Sequence, residues 1–492
     1  MSAFLPSSAL GLPASLDFKL PPSLSDDSKA YHVSISPDSI TSVVSPTVTF
    51  TAAAGTSLIN PFNSQLLTWT LPSGTSRDLF LDPKETFLTF RMRINLAVAA
   101  NGGTPAGNLH QLIGSAQSFF DSLILYSNNI PIEQINGYNL LAHQLLNATV
   151  NSAERYGGCA VALGCDTDSA TGVNLAITAA GDTFYSFSIP LISIIGINGR
   201  DHLFPIGSIS NLQLQMQTAT NLPFATYCTA PYANQASGTV TLDQFSLNMK
   251  YVSIGQQSAA LLYSTLPDGK YFMKTQTWVQ SSANIPANTG GTVNLAYQIR
   301  NSSLKSMIIQ NSTSGAVALC PNGLYDAVNL SVTQFNINVG GLNYPQTPLN
   351  PTQRPSQAFL HYMSALGMNG DYKKIGGLLT RSAYGATMTG GIIGQSDSMM
   401  VVPALGVRAN SSIDAATNPV ILYPNQSYLG CDFEKSGGIL FNGVSTRSAP
   451  PVGNYFLGAN TPAGVNFTSF AFGLVDCVVI VDPMSQTISA YV

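Results

Sequence analysis

The chain has 492 residues, too many for one ordinary domain and enough for about two to four. Charged residues make up only 9% of it, against about 25% in ordinary soluble proteins, and hydrophobic residues 45%, so much of its surface is expected to be covered by neighbouring subunits. Net charge is −4, no basic cluster is denser than pairs such as Lys373 and Lys374, and no apolar run reaches the roughly 18 residues of a membrane-spanning helix, which argues against direct nucleic-acid binding and an integral membrane protein.

The first 45 residues are Pro- and Ser-rich without sustained periodicity and predict an extended N-terminal arm (1–45) that ties subunits together; deleting residues 1–40 is expected to spare subunit association but impair higher assembly. Strand signals become dense from residue 66: LLTWT, then TFLTFRMRINLAV, then SLILYSNNIPIEQI. In TFLTFRMRI the residues Phe87, Thr89, Arg91 and Arg93 fall on one face and Leu88, Phe90, Met92 and Ile94 on the other, the period of two of a half-buried strand. GYNLLAHQLLNATV then predicts a short amphipathic helix through Leu140, Leu141, Gln144 and Leu145. Strands return at TFYSFSIPL, SNLQLQMQTA and GTVTLDQFSLNMKYVSI, closing a block (46–256).

A second block (265–492) opens at KYFMKTQTWVQ and continues through GGTVNLAYQI, SLKSMIIQ and SVTQFNINVGGLNYP. PSQAFLHYMSALG predicts another short helix, with Phe359, Tyr362, Met363 and Leu366 on one side. Strands then run through SMMVVPAL, YLGCDFEKSGG, NYFLGAN and FTSFAFGLVDCVVIVDPMSQTISAYV to the end. Both blocks show the order strand, turn, proline (Pro131, Pro345), helix, and each ends in a long β segment carrying Asn248 or Asp476, which indicates a duplicated domain. Periodicity alone leaves jelly rolls and immunoglobulin-like sandwiches as equal alternatives.

Particular passages resemble double jelly-roll major capsid proteins, the lineage of adenovirus hexon, virophage, polinton-like virus and giant-virus capsids. In the first block these are SFFDSLILYSNNIPIEQINGYNLL and FSIPLISIIGINGRDHLFPIGSISNLQLQMQTA; in the second, INVGGLNYPQTPLNPTQRPSQAFLHYMSALG, SGGILFNGVSTRSAPPVGNYFLG and FGLVDCVVIVDPMSQTISAYV. Gly341-Leu342-Asn343 stands where an Asn-Gly pair is common in that lineage, and Val475 precedes Asp476 where Tyr often does. The resemblance implies an all-β protein of two tandem eight-stranded jelly rolls, with short helices in the loops. It further implies a homotrimeric, pseudo-hexameric capsomer tiling the icosahedral shell of a double-stranded DNA virus, in contact with neighbouring capsomers, penton and minor capsid proteins. The length fits a virophage or polinton-like virus better than a hexon. Segments 169–182 and 230–238, rich in small and polar residues, are expected to form exposed crowns.

No enzyme is expected, and no catalytic, cofactor-binding or metal site is assigned. His32, His110, His143, His202 and His361 sit in no catalytic pattern, and no GxSxG, HExxH or phosphate-binding loop occurs. Asp166 to Gly172 resembles a calcium loop but lacks an oxygen ligand at Ala170 and reads as a solvated loop, while Asp26-Asp27 reads as a solubilising bend. Cys159, Cys165, Cys228, Cys320, Cys431 and Cys477 have no metal-site spacing and are expected to be reduced and mostly buried. The opening MSAFLPSSALGLPASL lacks a basic region and is a poor secretory signal, so synthesis and assembly inside a host cell are expected, ending in the virion capsid. The sequons at Asn147, Asn301, Asn311, Asn329, Asn410, Asn425 and Asn466 are then chance products. The rival readings are a secreted carbohydrate-binding or carbohydrate-cleaving β-sandwich and a minor capsid or spike protein. The former is expected to show clustered exposed tryptophans, whereas Trp69 and Trp278 both sit in strand patterns.

Overall fold

The computed structural model describes residues 28–44, 48–50, 64–96, 108–112, 115–149, 162, 174–176, 181–219, 224–228, 236–313, 327–368, 427–435, 441–464 and 466–492. In the first half, the principal strands are β1 (Lys29–Ile35), β2 (Leu66–Thr70), β3 (Leu79–Leu96), β4 (Phe120–Ser127), β5 (Ile130–Asn136), β6 (Gly181–Pro190), β7 (Leu212–Thr218) and β8 (Ala236–Ser253). They form two antiparallel sheets, one ordered β1-β8-β3-β6 and one ordered β2-β7-β4-β5. Chain-order neighbours β1 and β2, or β3 and β4, thus lie in different sheets, which is the connectivity of a jelly roll.

The second half repeats this order. Its strands are β9 (Tyr271–Ile285), β10 (Gly291–Ala296), β11 (Leu304–Thr313), β12 (Val332–Val339), β13 (Leu342–Leu349), β14 (Tyr428–Asp432), β15 (Val452–Leu457) and β16 (Phe467–Asp482), followed by β17 (Thr487–Tyr491). The third sheet runs β9-β16-β11-β14, with β17 also paired to β16, and the fourth runs β10-β15-β12-β13. Adding eight to each strand number of the first roll reproduces the second, so the duplication legible in the sequence is a duplication of topology.

The alternation in β3 places side chains as the period of two requires. Leu88, Phe90 and Met92 are buried, while Phe87, Thr89, Arg91 and Arg93 are partly exposed. Phe90 centres an aromatic cluster, its ring centroid 5.4 Å from Phe120, 5.5 Å from Phe187, 5.8 Å from Phe245 and 5.9 Å from Phe119. The second roll has a core of its own, built on residues such as Phe335, Ile337, Tyr455 and Phe467.

Three helices interrupt the strands: α1 (Tyr138–Thr149), α2 (Gln256–Thr265) and α3 (Pro355–Ala365). The first and third occupy the same place in their rolls, after the fifth strand, and bury the predicted faces: Leu140, Leu141 and Gln144 in one, Tyr362 and Met363 in the other. Gly430 admits α3 against β14, since a Cβ there would lie 2.7 Å from the Tyr362 Cα. Nothing in the sequence reading anticipates α2, whose face is mostly exposed with only Ala259 buried. Its apolar stripe is short, Ala259, Leu262, Tyr263 and Leu266 at helical spacing against the first roll's core, and no side-chain cap marks its start. It joins the end of the first roll to the start of the second.

One expectation needs correction. Residues Lys29–Ile35, read as part of the arm, are β1, paired in register with β8 from Lys29 opposite Ser253 to Ile35 opposite Leu247. Ser42–Val44 also pairs with β8. β1 is an edge strand and mostly exposed; Tyr31, Val33 and Ile35 alternate with His32 and Ser34, but the run is short and lies between Pro- and Ser-rich segments that read as an arm. Residues 1–27 lie outside the described residues.

Candidate assembly surfaces and the seam between the rolls

Strand direction sorts the loops of each roll to two ends. At one end lie the links β2–β3, β4–β5 and β6–β7, and their counterparts β10–β11, β12–β13 and β14–β15. The links β4–β5 and β12–β13 are two-residue turns, Asn128-Asn129 (φ 50° and 64°) and Gly340-Gly341 (φ 58° and 88°). Both residues of each turn are left-handed, the geometry that matches strand twist in tight hairpins. We call this end the base.

The opposite end carries the long connections. In the first roll, three of them contribute one short strand each, Asn108–Leu112, Asn174–Ala176 and Phe224–Cys228, which pair into a small sheet of their own. The segment 169–182, expected as a crown, supplies Asn174–Ala176; of segment 230–238, the described part, 236–238, begins β8. This end therefore carries structured loops that the strands position but do not need for their own pairing.

The base also displays isolated apolar side chains. Ile130 and Leu342 follow the two tight turns and are each 63% exposed, and Met484 lies in the β16–β17 turn. The linker helix α2, which starts from the end of β8 at the same base, exposes Leu261.

Where the rolls meet, the third sheet is buried on both faces. Along β16, Phe467, Ala471 and Val475 join the second roll's core; Phe472 on the opposite face, with Phe470 and Leu474 packed beside it, and Cys477, Val479 and Val481 farther along the strand join the core cluster of the first roll. That double burial accounts for the nearly unbroken apolar run from Phe470 to Val481, where strict alternation is lost. Polar contacts cross the seam at defined points. Glu133 of β5, 4% exposed, accepts from the hydroxyl of Thr277 on β9 at 2.7 Å through Oε1, and from the Ser193 hydroxyl and the Ile194 N–H (2.9 Å) through Oε2. Burial raises the Glu133 carboxyl above its usual range, while these three donors pull the other way. The Gln144 amide of α1 donates to Gln310 Oε1 of β11 at 3.0 Å, the Thr275 hydroxyl donates to the Asn198 carbonyl at 2.8 Å, and the Ser210 N–H donates to the Gln486 carbonyl at 3.0 Å.

Sequence reasoning did not single out Glu133. A bulge at Ile132 resets the alternation of β5, so that Glu133 pairs with Leu125 and shares the buried face of Ile135, at the edge of its sheet where β9 packs. The residues weighed for chemistry are scattered. His32 is exposed, 3.8 Å from Glu85; His143 is buried on α1; and burial lowers the half-buried His361 of α3. His202 lies in the seam near Phe204 and Met273, and His110 lies in the small sheet. No group of three metal-ligating side chains occurs among the described residues. The stretch Asp166 to Gly172 and the pair Asp26-Asp27 lie outside them.

Cys431 and Cys477 are free and buried, and burial pushes both thiols up, away from reactive thiolate. Trp69 and Trp278 are buried, 0% and 5% exposed, so neither offers a stacking platform for a sugar. Of the sequons, Asn301, Asn311 and Asn329 are buried, which closes them to glycosylation in the folded chain; Asn466 is exposed.

Two eight-stranded jelly rolls in tandem, standing the same way up and sharing a seam, define a double jelly roll. No protein-family model matches the chain, and no curated protein does. Among solved structures it is similar to VP54 of PBCV-1 as fitted into a reconstruction of the virophage Sputnik, at 10% identity and TM-score 0.51, covering 96% of this chain and 98% of that one. It is also similar to a chain of the Sputnik virophage structure (11%, TM-score 0.50, 96% and 90%) and to the mavirus major capsid protein (11%, TM-score 0.50, 96% and 92%). The likeness shows a shared double jelly-roll fold over nearly the whole length of each chain.

Proposed function

We propose that this chain is the major capsid protein of an icosahedral double-stranded DNA virus of the virophage or polinton-like kind, with a structural rather than an enzymatic role. The observation that carries the reading is the pair of rolls with identical strand order, in a fold shared over nearly the whole chain with the mavirus major capsid protein and a chain of the Sputnik virophage. Three such chains present six rolls, which close into a nearly hexagonal block suited to tiling a flat facet. Closed three-fold symmetry repeats one interface three times, so apolar contacts of modest strength add up. A chain with only 9% charged residues suits that use, because neighbours rather than charge keep its flanks from water. The loop-bearing end faces outward as the crown. The base, with Ile130, Leu342 and Met484, faces inward toward penton and minor capsid proteins.

Residues 1–27 act as the arm that ties capsomers together. The two rolls divide near α2, between residues 256 and 265. No direct binding to the genome is part of this reading, since the chain has no basic footprint.

Electron microscopy and mass photometry of the purified protein test it. Three-fold particles with a pseudo-hexagonal base are expected; a stable monomer at micromolar concentration would overturn the proposal.

A further inference from the structure

The second roll holds an arrangement that the capsid role does not use. Lys305 of β11, Glu434 just beyond β14 and Asp476 of β16 lie side by side across three neighbouring strands of the third sheet. Lys305 sits at an irregularity where the pairing shifts between Leu304, opposite Val475, and Ser306, opposite Leu474. Its carbonyl accepts from the Phe433 N–H at 2.7 Å, which sets Glu434 beside it. The Lys305 Nζ lies 2.5 Å from Glu434 Oε1 and 3.8 Å from Asp476 Oδ1. Lys305 and Asp476 are 6% and 0% exposed.

The two oxygens of Asp476 are treated differently. Oδ2 accepts from the Ser303 hydroxyl at 2.6 Å and from the Phe441 N–H at 2.9 Å. Oδ1, on the lysine side, is buried and has no hydrogen-bond partner among the described residues. A buried carboxylate oxygen without a donor is an unstable arrangement that folded proteins rarely keep.

We propose that Lys305 and Asp476 are joined by an intramolecular isopeptide bond, Nζ to Cγ, which the folded chain forms by itself. Glu434 takes a proton from the ammonium across the 2.5 Å contact, leaving a neutral amine. The nitrogen lone pair forms the bond to Cγ, and charge gathers on Oδ2, where the Ser303 hydroxyl and the Phe441 N–H already point as an oxyanion site. The Cγ–Oδ1 bond then breaks with its electron pair, and Oδ1 departs as water. Two of the three ammonium protons leave with it, one carried by Glu434, and the third stays on the amide nitrogen. No oxidant or cofactor is needed.

Three features favour the step. Adjacent strands hold the reacting groups, so no translational entropy remains to be lost. Burial raises the Asp476 carboxyl above its usual range, which favours delivery of the proton that Glu434 carries to Oδ1. The product satisfies the site better than the reactants, because Oδ2 becomes an amide carbonyl with both donors in place, the new N–H donates to Glu434, and the unpaired oxygen is gone. The bond ties β11 to β16 in the centre of the sheet, and the inference holds whether or not the chain builds a capsid.

Intact mass of the full chain under denaturing conditions, followed by peptide mapping, decides the matter. The expected result is a mass lower than that of the sequence by one water, with Lys305 resistant to trypsin and its peptide linked to the one containing Asp476. The full sequence mass, or a link from Lys305 to Glu434 instead, would overturn it. Lys305→Met is expected to have the full mass of its sequence, and a missing water in that variant would place the loss elsewhere and refute the assignment. Glu434→Gln is expected to lack the bond or form it far more slowly; formation at the native rate would remove Glu434 from the mechanism.

Discussion

The hydroxyl of Thr277 donates to Oε1 of Glu133 across 2.7 Å, and the two residues belong to different jelly rolls. The same carboxyl also receives the Ser193 hydroxyl and the Ile194 N–H, so one buried side chain terminates three donors at the seam. Glu133→Ala leaves all three without an acceptor. Each unsatisfied buried group costs about 1–3 kcal/mol, so a loss of about 3 kcal/mol or more is expected in urea unfolding. A loss below about 0.5 kcal/mol, the scale of an ordinary surface substitution, would show that water reaches the site.

The same residue predicts a pH dependence. Burial raises the Glu133 carboxyl in the folded chain above its value in the unfolded chain, so the folded state holds this proton more tightly. Its contribution to stability is complete below the unfolded carboxyl's value and is lost as pH rises through the folded-state value. Glu133→Gln carries no titrating proton, and its amide can still donate to the Thr277 oxygen while accepting from the Ile194 N–H. Wild-type stability relative to this variant is therefore expected to fall from acidic to neutral pH; a difference that stays constant over that range counts against the shift.

Phe90 is the centre of a five-ring cluster and 1% exposed. Phe90→Ala is expected to cost about 3–5 kcal/mol in the unfolding of the first roll, through lost transfer energy and the cavity left behind. Differential scanning calorimetry reads this as a lowered transition.

The base turns give a comparison within one chain. Gly341 has φ 88°, and Gly341→Val forces a β-branched side chain into the left-handed region at a cost of about 1–2 kcal/mol. Gly340→Asn is expected to be nearly neutral, because Asn128 and Asn129 already hold the same kind of turn in the first roll with φ 50° and 64°. Equal thermal shifts for the two variants would argue against this account.

Truncation separates the arm from the roll. Removing residues 1–27 leaves every described strand in place and is expected to preserve the melting temperature while impairing shell assembly. Removing residues 1–40 also deletes β1 from the edge of β8, together with the hydrogen bond from the Thr70 N–H to Asp38, and is expected to destabilise the first roll. Identical melting curves for the two truncations would mean that β1 contributes little.

Much of this architecture is legible in the residues. The alternation in TFLTFRMRI fixes which face of β3 is inward, the helices after Pro131 and Pro345 follow from their apolar spacing, and the repeated order reveals the duplication. Other features leave a short local trace or none. In β1 only Tyr31, Val33 and Ile35 alternate, inside a Pro- and Ser-rich stretch, and in α2 the stripe is limited to Ala259, Leu262, Tyr263 and Leu266. Glu133 reads as a surface residue of its own strand, and Asp476 stands out in FGLVDCVVIVD without revealing that Lys305 and Glu434 lie beside it.

By itself, the sequence determined a charge-poor, turn-rich β protein made of two similar halves, because period, turn chemistry and composition act over a few residues at a time. Only the tertiary structure decided that the halves are jelly rolls rather than another sandwich, because the crossing of consecutive strands between sheets depends on pairings more than a hundred residues apart, such as Ser253 with Leu79. It also decided that the β5 edge of the first roll is a buried seam. Burial of a face is set by what docks upon it, and for β5 that partner is β9, whose Thr277 lies 144 residues from Glu133 along the chain.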